Sequence, residues 1–258
     1  MLLNLLQNHN NKIYKTKPFP YFIIDNALPD EIYEELDSTY PDFKKLIHFD
    51  RSNNEYIENT AYRYSAHQSL DDPDLPAIWK DFINYHTSAD FCHQLFDIFQ
   101  DEIKKIYKVD REKLPSENNI GVRFRDKLHF NTDCQFVINT PTNGDTTVIE
   151  PHLDNAKEFY AGLFYMKEKE DNSKGGNLTT HSFKGKPSFY GNSRVREENS
   201  YLIEEIEYKK NRFVVFLNSP LSIHGVTKRE KTDFYRKYMN IIGEFNNKLF
   251  DYRPFLEK

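Results

Sequence analysis

Three residues raise the question that the rest of the chain must answer: His152 and Asp154, in the tripeptide His152-Leu153-Asp154, and His224 far downstream. In an extended chain residues i and i+2 point to the same side, so the histidine and the aspartate can reach one metal ion from a single strand end. Two imidazoles and one carboxylate are the donor set of the non-haem Fe(II) facial triad, which leaves positions open for a cosubstrate and dioxygen. His224 lies in RFVVFLNSPLSIHGV, after a strongly apolar strand and a turn at Pro220, on a short strand where it shares a face with Val226. The same His-x-Asp pattern occurs at His48-Phe49-Asp50, but there it falls in a polar stretch with no strand array after it, and it reads as surface loop. His181, in LTTHSF, has no carboxylate two residues on and is the weaker donor.

A fourth residue extends the pattern. FYRKYMNIIGEF alternates so that Phe234, Arg236, Tyr238, Asn240 and Ile242 share one face of a strand. An arginine on the inner face of a barrel needs an anion to offset its desolvation. A guanidinium takes a carboxylate through two parallel hydrogen bonds, which suits a dicarboxylate cosubstrate. Lys237 points to the opposite face, and Lys228 and Arg229 sit in a turn, so these are weaker candidates.

Bringing such residues together takes a β core. Beyond about residue 115 the sequence breaks into NIGVRFRDKL, DCQFVINT, TTVIEPHL, FYAGLFYMK, GNLTTHSF, YLIEEIEY, RFVVFLNS, LSIHGV and FYRKYMNIIGEF, short apolar or alternating runs separated by Gly, Pro, Asn and Asp. Closely spaced strands without a helical period between them predict a sandwich, jelly roll or barrel. The preceding part is mainly helical. A short helix is expected over Leu2 to Gln7, a strand over PFPYFIID (Pro18 to Asp25), a helix entered at Pro29 with Asp30 and Glu31 in its first turn, and another near Pro76. A further helical period runs from Ser88, a candidate N-cap, to Tyr107. His48 to Gln68 is polar, tyrosine-rich and aperiodic, and reads as loop; within it, Asn53 to Tyr64 suits either a lid over a substrate or a surface loop packed by its own tyrosines. The organisation expected is one domain over residues 1–258, mainly β with flanking helices: a helical support region at 1–114 and a β core at 115–245.

Composition narrows the function. The 35 Lys+Arg against 40 Asp+Glu give a net charge of −5, which argues against a general nucleic-acid binder. With 21 Phe and 17 Tyr the chain has the bulk for a large core and a bias towards strands. Cys92 and Cys134 are too few for a disulfide framework or a thiolate site and sit in apolar contexts, which fits a reducing compartment. MLLNLLQNHNNK is too short an apolar run for a secretory signal, and no segment approaches the roughly 18 apolar residues of a membrane span. A soluble cytoplasmic protein with no membrane partner is expected.

At this point the residues resemble a known family. PHLDNAKEFYAGLFYMK, GGNL, RFVVFLNSPLSIHGV and the later Arg236, in that order, look like the Fe(II)/2-oxoglutarate-dependent oxygenases, particularly the prolyl 4-hydroxylase-like branch. PFPYFIIDNALPDEIYEEL is similar to the start of bacterial and phage members. The resemblance implies a double-stranded β-helix (jelly roll, cupin-like) core, with His152, Asp154 and His224 as metal ligands and Arg236 on the distal carboxylate of 2-oxoglutarate. It implies Fe(II), 2-oxoglutarate and O2 as cofactor and cosubstrates, with ascorbate as a reductant, and hydroxylation with release of succinate and CO2. A carboxylate at position 154 favours hydroxylation over halogenation, which needs that coordination site open for halide. Several prolyl hydroxylases carry lysine at the cosubstrate position and tyrosine on an early strand; here the early strand reads CQFVINT, and Gln135 and Asn139 stand as alternative cosubstrate contacts. Gly175 and Gly176 form a tight turn with a structural role. The substrate expected is peptidyl proline or a small metabolite. The rival readings are a non-catalytic cupin-like metal or ligand-binding module and a metal-dependent hydrolase or isomerase.

Overall fold

The structure is a computed structural model that describes residues 3–50, 55–144, 146–147, 149–191 and 193–256. Among the described residues eleven strands carry the architecture: β1 (Ile13–Lys15), β2 (Tyr21–Asp25), β3 (Ala61–Tyr64), β4 (Ile120–Val122), β5 (Phe130–Asn139), β6 (Glu158–Tyr165), β7 (Leu178–Phe183), β8 (Ser200–Ile206), β9 (Arg212–Leu217), β10 (His224–Val226) and β11 (Arg236–Phe245). The large sheet runs β1-β2-β9-β6-β11-β5-β3, with β4 parallel to β5, and a small sheet runs β10-β7-β8.

Period-two alternation divides the large sheet into two faces. Along β11, Met239 and Ile241 join Cys134, Phe136 and Ile138 of β5 in the main core, where the helices pack. Arg236, Tyr238, Asn240 and Ile242 face the other way and line a cavity. On that second face Leu178 and Ile206 of the small sheet pack with Ala161, Tyr165, Val214 and Phe216 of the large one. The site therefore lies between two sheets, and the helices stiffen the back of the larger.

The helices are α1 (Asp30–Ser38), α2 (Phe43–Phe49), α3 (Ala66–Leu70), α4 (Ala77–His86), α5 (Ala89–Ile98) and α6 (Gln100–Tyr107). Their starts reflect local chemistry. Asp30 and Glu31 occupy the first turn of α1, and the Asp42 carboxylate accepts from the Lys45 backbone N–H, 2.9 Å, at the start of α2. Ser88 likewise accepts from the N–H of Phe91 at the start of α5. Among the described residues no helix is long and apolar enough to cross a membrane.

Four sequence expectations need correction. The stretch from His48 to Gln68 is not all loop: it contains the end of α2, the edge strand β3 and α3, which opens with a capping box between Ser65 and Gln68. Two of its tyrosines, Tyr62 and Tyr64, are fully buried and structural, whereas Tyr56 is exposed; residues 51–54 lie outside the described residues. The single helical period from Ser88 to Tyr107 is split at Phe99, whose buried ring packs on Tyr14 and Phe22. Residues 3–8 form turns ahead of a short 3-10 turn at His9–Asn11 rather than a helix, with Leu5 and Leu6 buried; Leu2 is not among the described residues. TTVIEPHL is not a regular strand, because Pro151 interrupts it and its described residues pair only through isolated bridges.

Candidate metal and anion site

His152 and His224 are held opposite each other by the backbone. The His152 N–H donates to the His224 carbonyl at 2.8 Å, and the His224 N–H returns the bond at 3.1 Å. Leu153, between the two upstream donors, turns away into a small apolar cluster with Phe189, Val195 and Ile223, which aims its neighbours into the cavity. Asn218 fixes the next turn by donating to the carbonyls of Asn155 and Glu158.

Each imidazole is also oriented by its own chain. His152 Nδ1 meets the Glu150 carbonyl at 2.8 Å and His224 Nδ1 meets that of Ser222 at 2.9 Å. A carbonyl only accepts, so the Nδ1 atoms carry the protons and the Nε2 lone pairs remain free. Those Nε2 atoms lie 3.6 Å (His152) and 3.5 Å (His224) from the two oxygens of Asp154. The separations are too long for good hydrogen bonds, and one donor atom from each residue falls within 4.8 Å of the others, within reach of a single ion. The electrostatics match. Burial works against charge on Asp154, but the imidazoles of His224 and His152 outweigh it and hold the carboxyl far below the usual carboxylate range. Burial likewise opposes a charged His224, and the Asp154 carboxylate overcomes it and raises the imidazole above its ordinary value.

Arg236 lies in the same cavity of about 410 Å³. It is 2% exposed. Its Nε donates to the Gly176 carbonyl at 2.7 Å and its Nη1 to Asn139 Oδ1 at 3.1 Å, while the rings of Tyr165, Tyr208 and Tyr238 surround the guanidinium at 4.7 to 5.3 Å. Its Nη2 is buried without a partner, as is the Nδ2 of Asn139 beside it. A buried guanidinium with one unfilled edge is a receptor for an anion. Gly175 and Gly176, with φ of 79° and 73°, make this geometry possible: a side chain on Gly175 would collide with the Lys228 carbonyl, and one on Gly176 would crowd Arg236 Cδ at 3.1 Å.

The other sequence candidates fall elsewhere. Arg229 is fully buried, but its Nη1 and Nη2 donate to the carbonyls of Thr140 and Phe234. Lys237 points to the opposite face, where it meets Glu168 at 2.9 Å and Asp37 at 3.6 Å. Lys228 is exposed, and His181 pairs with Thr179 Oγ1 while burial pushes its pKa down to about 4. In the second His-x-Asp, His48 sits in the last turn of α2 and Asp50 accepts from the Arg63 backbone N–H. Gln135 lines the cavity but donates to Asp133, so of the two early-strand residues Asn139 is the one against Arg236. Cys92 and Cys134 are buried free thiols. Arg63, Arg123, Phe124 and Glu158 also line the cavity; the sequence singled out none of them individually, although Arg63 lies in the Asn53 to Tyr64 stretch and Glu158 in PHLDNAKEFYAGLFYMK.

No family model matches the sequence, and no curated protein is similar enough to be matched to it. Solved structures do match. The dioxygenase for auxin oxidation 1 of Arabidopsis thaliana, in its 2-oxoglutarate binary complex, superposes with a TM-score of 0.50 at 12% identity, covering 92% of this chain and 88% of that one. The chain shares its fold with a dioxygenase. That fold is the double-stranded β-helix, as the sequence led us to expect. A prolyl-4-hydroxylase of Pseudomonas putida aligns over 96% of this chain and all of its own at 12% identity and a TM-score of 0.41. A prolyl hydroxylase of Trichoplax adhaerens, solved with a hypoxia inducible factor peptide fragment, aligns over 95% and 88% at 12% identity and a TM-score of 0.43.

Proposed function

We propose that this protein is an Fe(II)- and 2-oxoglutarate-dependent dioxygenase that hydroxylates an organic substrate. One observation carries the reading: three metal-donor atoms converge in a cavity that also holds a buried guanidinium with an unfilled edge. A hydrolase or a simple metal-binding module has no need of the second feature. The plant dioxygenase of the same fold binds 2-oxoglutarate, which supports the same assignment.

His152, Asp154 and His224 would hold the iron through Nε2, a carboxylate oxygen and Nε2. Arg236 would take the distal carboxylate of 2-oxoglutarate, with Asn139 Nδ2 as a second donor and the three tyrosine rings keeping water from the pair. When bound, the metal and its cosubstrate supply the oxidation: one atom of O2 enters a substrate C–H bond, the other enters succinate, and CO2 leaves. The Nδ1 bonds to Glu150 and Ser222 keep both ligating nitrogens deprotonated and aimed, so binding needs no rearrangement of the rings. The carboxylate at Asp154 fills the position that halogenation would need open. The two buried free thiols support a reducing compartment, and we place the protein in the cytoplasm. Its net charge of −5 supports a small-molecule or peptide substrate over a nucleic acid.

The test is succinate release from 2-oxoglutarate with Fe(II), ascorbate and O2, measured without added substrate as uncoupled turnover. Consumption that needs both iron and O2 is expected. No consumption under these conditions overturns the assignment.

A further inference from the structure

The cavity does not end at the His152, Asp154 and His224 cluster. It also reaches two side chains of opposite charge, Glu158 at the start of β6 and Arg63 on the edge strand β3. Neither side chain makes a hydrogen bond or ion pair among the described residues; Arg63 is tied to Asp50 through its backbone N–H. The nearby Arg123 differs, since its guanidinium is engaged by Glu244 at 3.0 Å and lies 3.8 Å from Asp133.

Glu158 is half-buried in the cavity wall, and its carboxyl is withdrawn from water with no partner among the described residues to offset that cost. A carboxyl in that setting calls for a cation or a hydrogen-bond donor from the ligand. Arg63 offers the converse, a fork of donors at the rim that suits a carboxylate. Phe124 adds an apolar wall at the same rim: it is 67% exposed, holds a left-handed backbone (φ 65°) that bulky residues rarely adopt, and lies 5.0 Å from the Arg123 guanidinium.

We propose that the substrate of this site is a zwitterionic free amino acid, its ammonium held by Glu158 and its carboxylate by Arg63. The hydroxylation of that substrate rests on the oxygenase reading; the binding does not. A peptide whose amine and carboxylate are both blocked as amides cannot satisfy the two charges, and an anion without an amine leaves Glu158 unmet.

The experiment is equilibrium binding of the twenty free L-amino acids by isothermal titration calorimetry, in the presence of Zn(II) and 2-oxoglutarate to prevent turnover. Each binder is then repeated as its N-acetyl derivative and as its carboxamide. At least one free amino acid is expected to bind, and either block should weaken it tenfold or more. Glu158→Gln should erase the preference for the free amine over the N-acetyl form, and Arg63→Gln the preference for the carboxylate over the carboxamide, with near-UV circular dichroism confirming that both variants fold. The proposal is overturned if no free amino acid binds, if blocking either end makes no difference, or if the variants keep both preferences. Uncoupled succinate release separates the two readings. Amino-acid binding without any 2-oxoglutarate consumption sinks the oxygenase assignment alone, and consumption without amino-acid binding sinks this one alone.

Discussion

His86 and His224 are both buried, one in the helical layer and one between the sheets, and their surroundings drive them in opposite directions. His86 spends both ring nitrogens on the backbone: Nδ1 donates to the Phe82 carbonyl and Nε2 accepts from the Leu5 N–H. With no charge nearby, burial pushes its pKa down to about 3. His224 spends only Nδ1, and its Nε2 faces a carboxylate that raises its pKa in spite of burial. Burial alone therefore does not mark a functional histidine; a ring nitrogen left unspent beside a carboxylate does.

The contrast can be tested most severely at the carboxylate. Asp154→Ala should abolish iron-dependent succinate formation while circular dichroism shows the fold retained, and turnover surviving in that variant would remove the triad assignment. Next in size is the acid limb of stability. The folded pKa of His86 lies below its unfolded value, so the unfolded chain binds the extra proton and stability is lost as pH falls from about 6.5 towards 3, on the order of 5 kcal/mol. His181, pushed down to about 4, contributes in the same direction. The raised pKa of His224 has the opposite sign: in metal-free protein its pairing with Asp154 stabilises at pH below the ordinary imidazole value and is lost as pH rises through the raised one. Urea unfolding against pH, in His86→Phe and wild type, should show a flatter acid limb in the variant; superimposable limbs would mean that His86 titrates freely.

Arg236→Gln comes third. Losing a charge-assisted bidentate contact should raise the 2-oxoglutarate requirement by roughly 1.5–3 kcal/mol, about 10- to 150-fold, read from the KM for 2-oxoglutarate in succinate release. Asp50→Asn is the smallest, weakening the contact to the Arg63 N–H by about 1 kcal/mol in unfolding free energy with succinate release unchanged. A large activity loss there would mean that the second His-x-Asp is more than part of the scaffold.

Much of the site was legible because it rests on strict local rules. The alternation in FYRKYMNIIGEF placed Arg236, Tyr238, Asn240 and Ile242 on one face, and the structure lines the cavity with those four. The two His-x-Asp tripeptides could also be told apart, because only the one at His152 is succeeded by a run of strands ending in a further histidine. The features that stayed hidden depend on distant partners. Edge strand β3 is only four residues and takes its extended form from pairing with β5, so Ala61 to Tyr64 carried no signal of its own. Arg63 lay within the Asn53 to Tyr64 stretch, read as a lid or a surface loop, with nothing to single it out there. Glu158 lay within PHLDNAKEFYAGLFYMK without being singled out, and only the pairing of β6 with β11 and of β11 with β5 shows that it shares a cavity with Arg63 and Arg123. TTVIEPHL was misread because its backbone is satisfied by scattered bridges to residues far along the chain.

The reciprocal backbone bonds between His152 and His224 join two segments far apart in sequence, one on the approach to the large sheet and the other on the small sheet. An ion held by these two rings would close that long loop as a cross-link does, constraining the chain where the two layers meet. Occupancy of the site would then be felt as resistance of the small sheet to peeling away, so that chelation exposes β7, β8 and β10 to proteases before the helical side loosens.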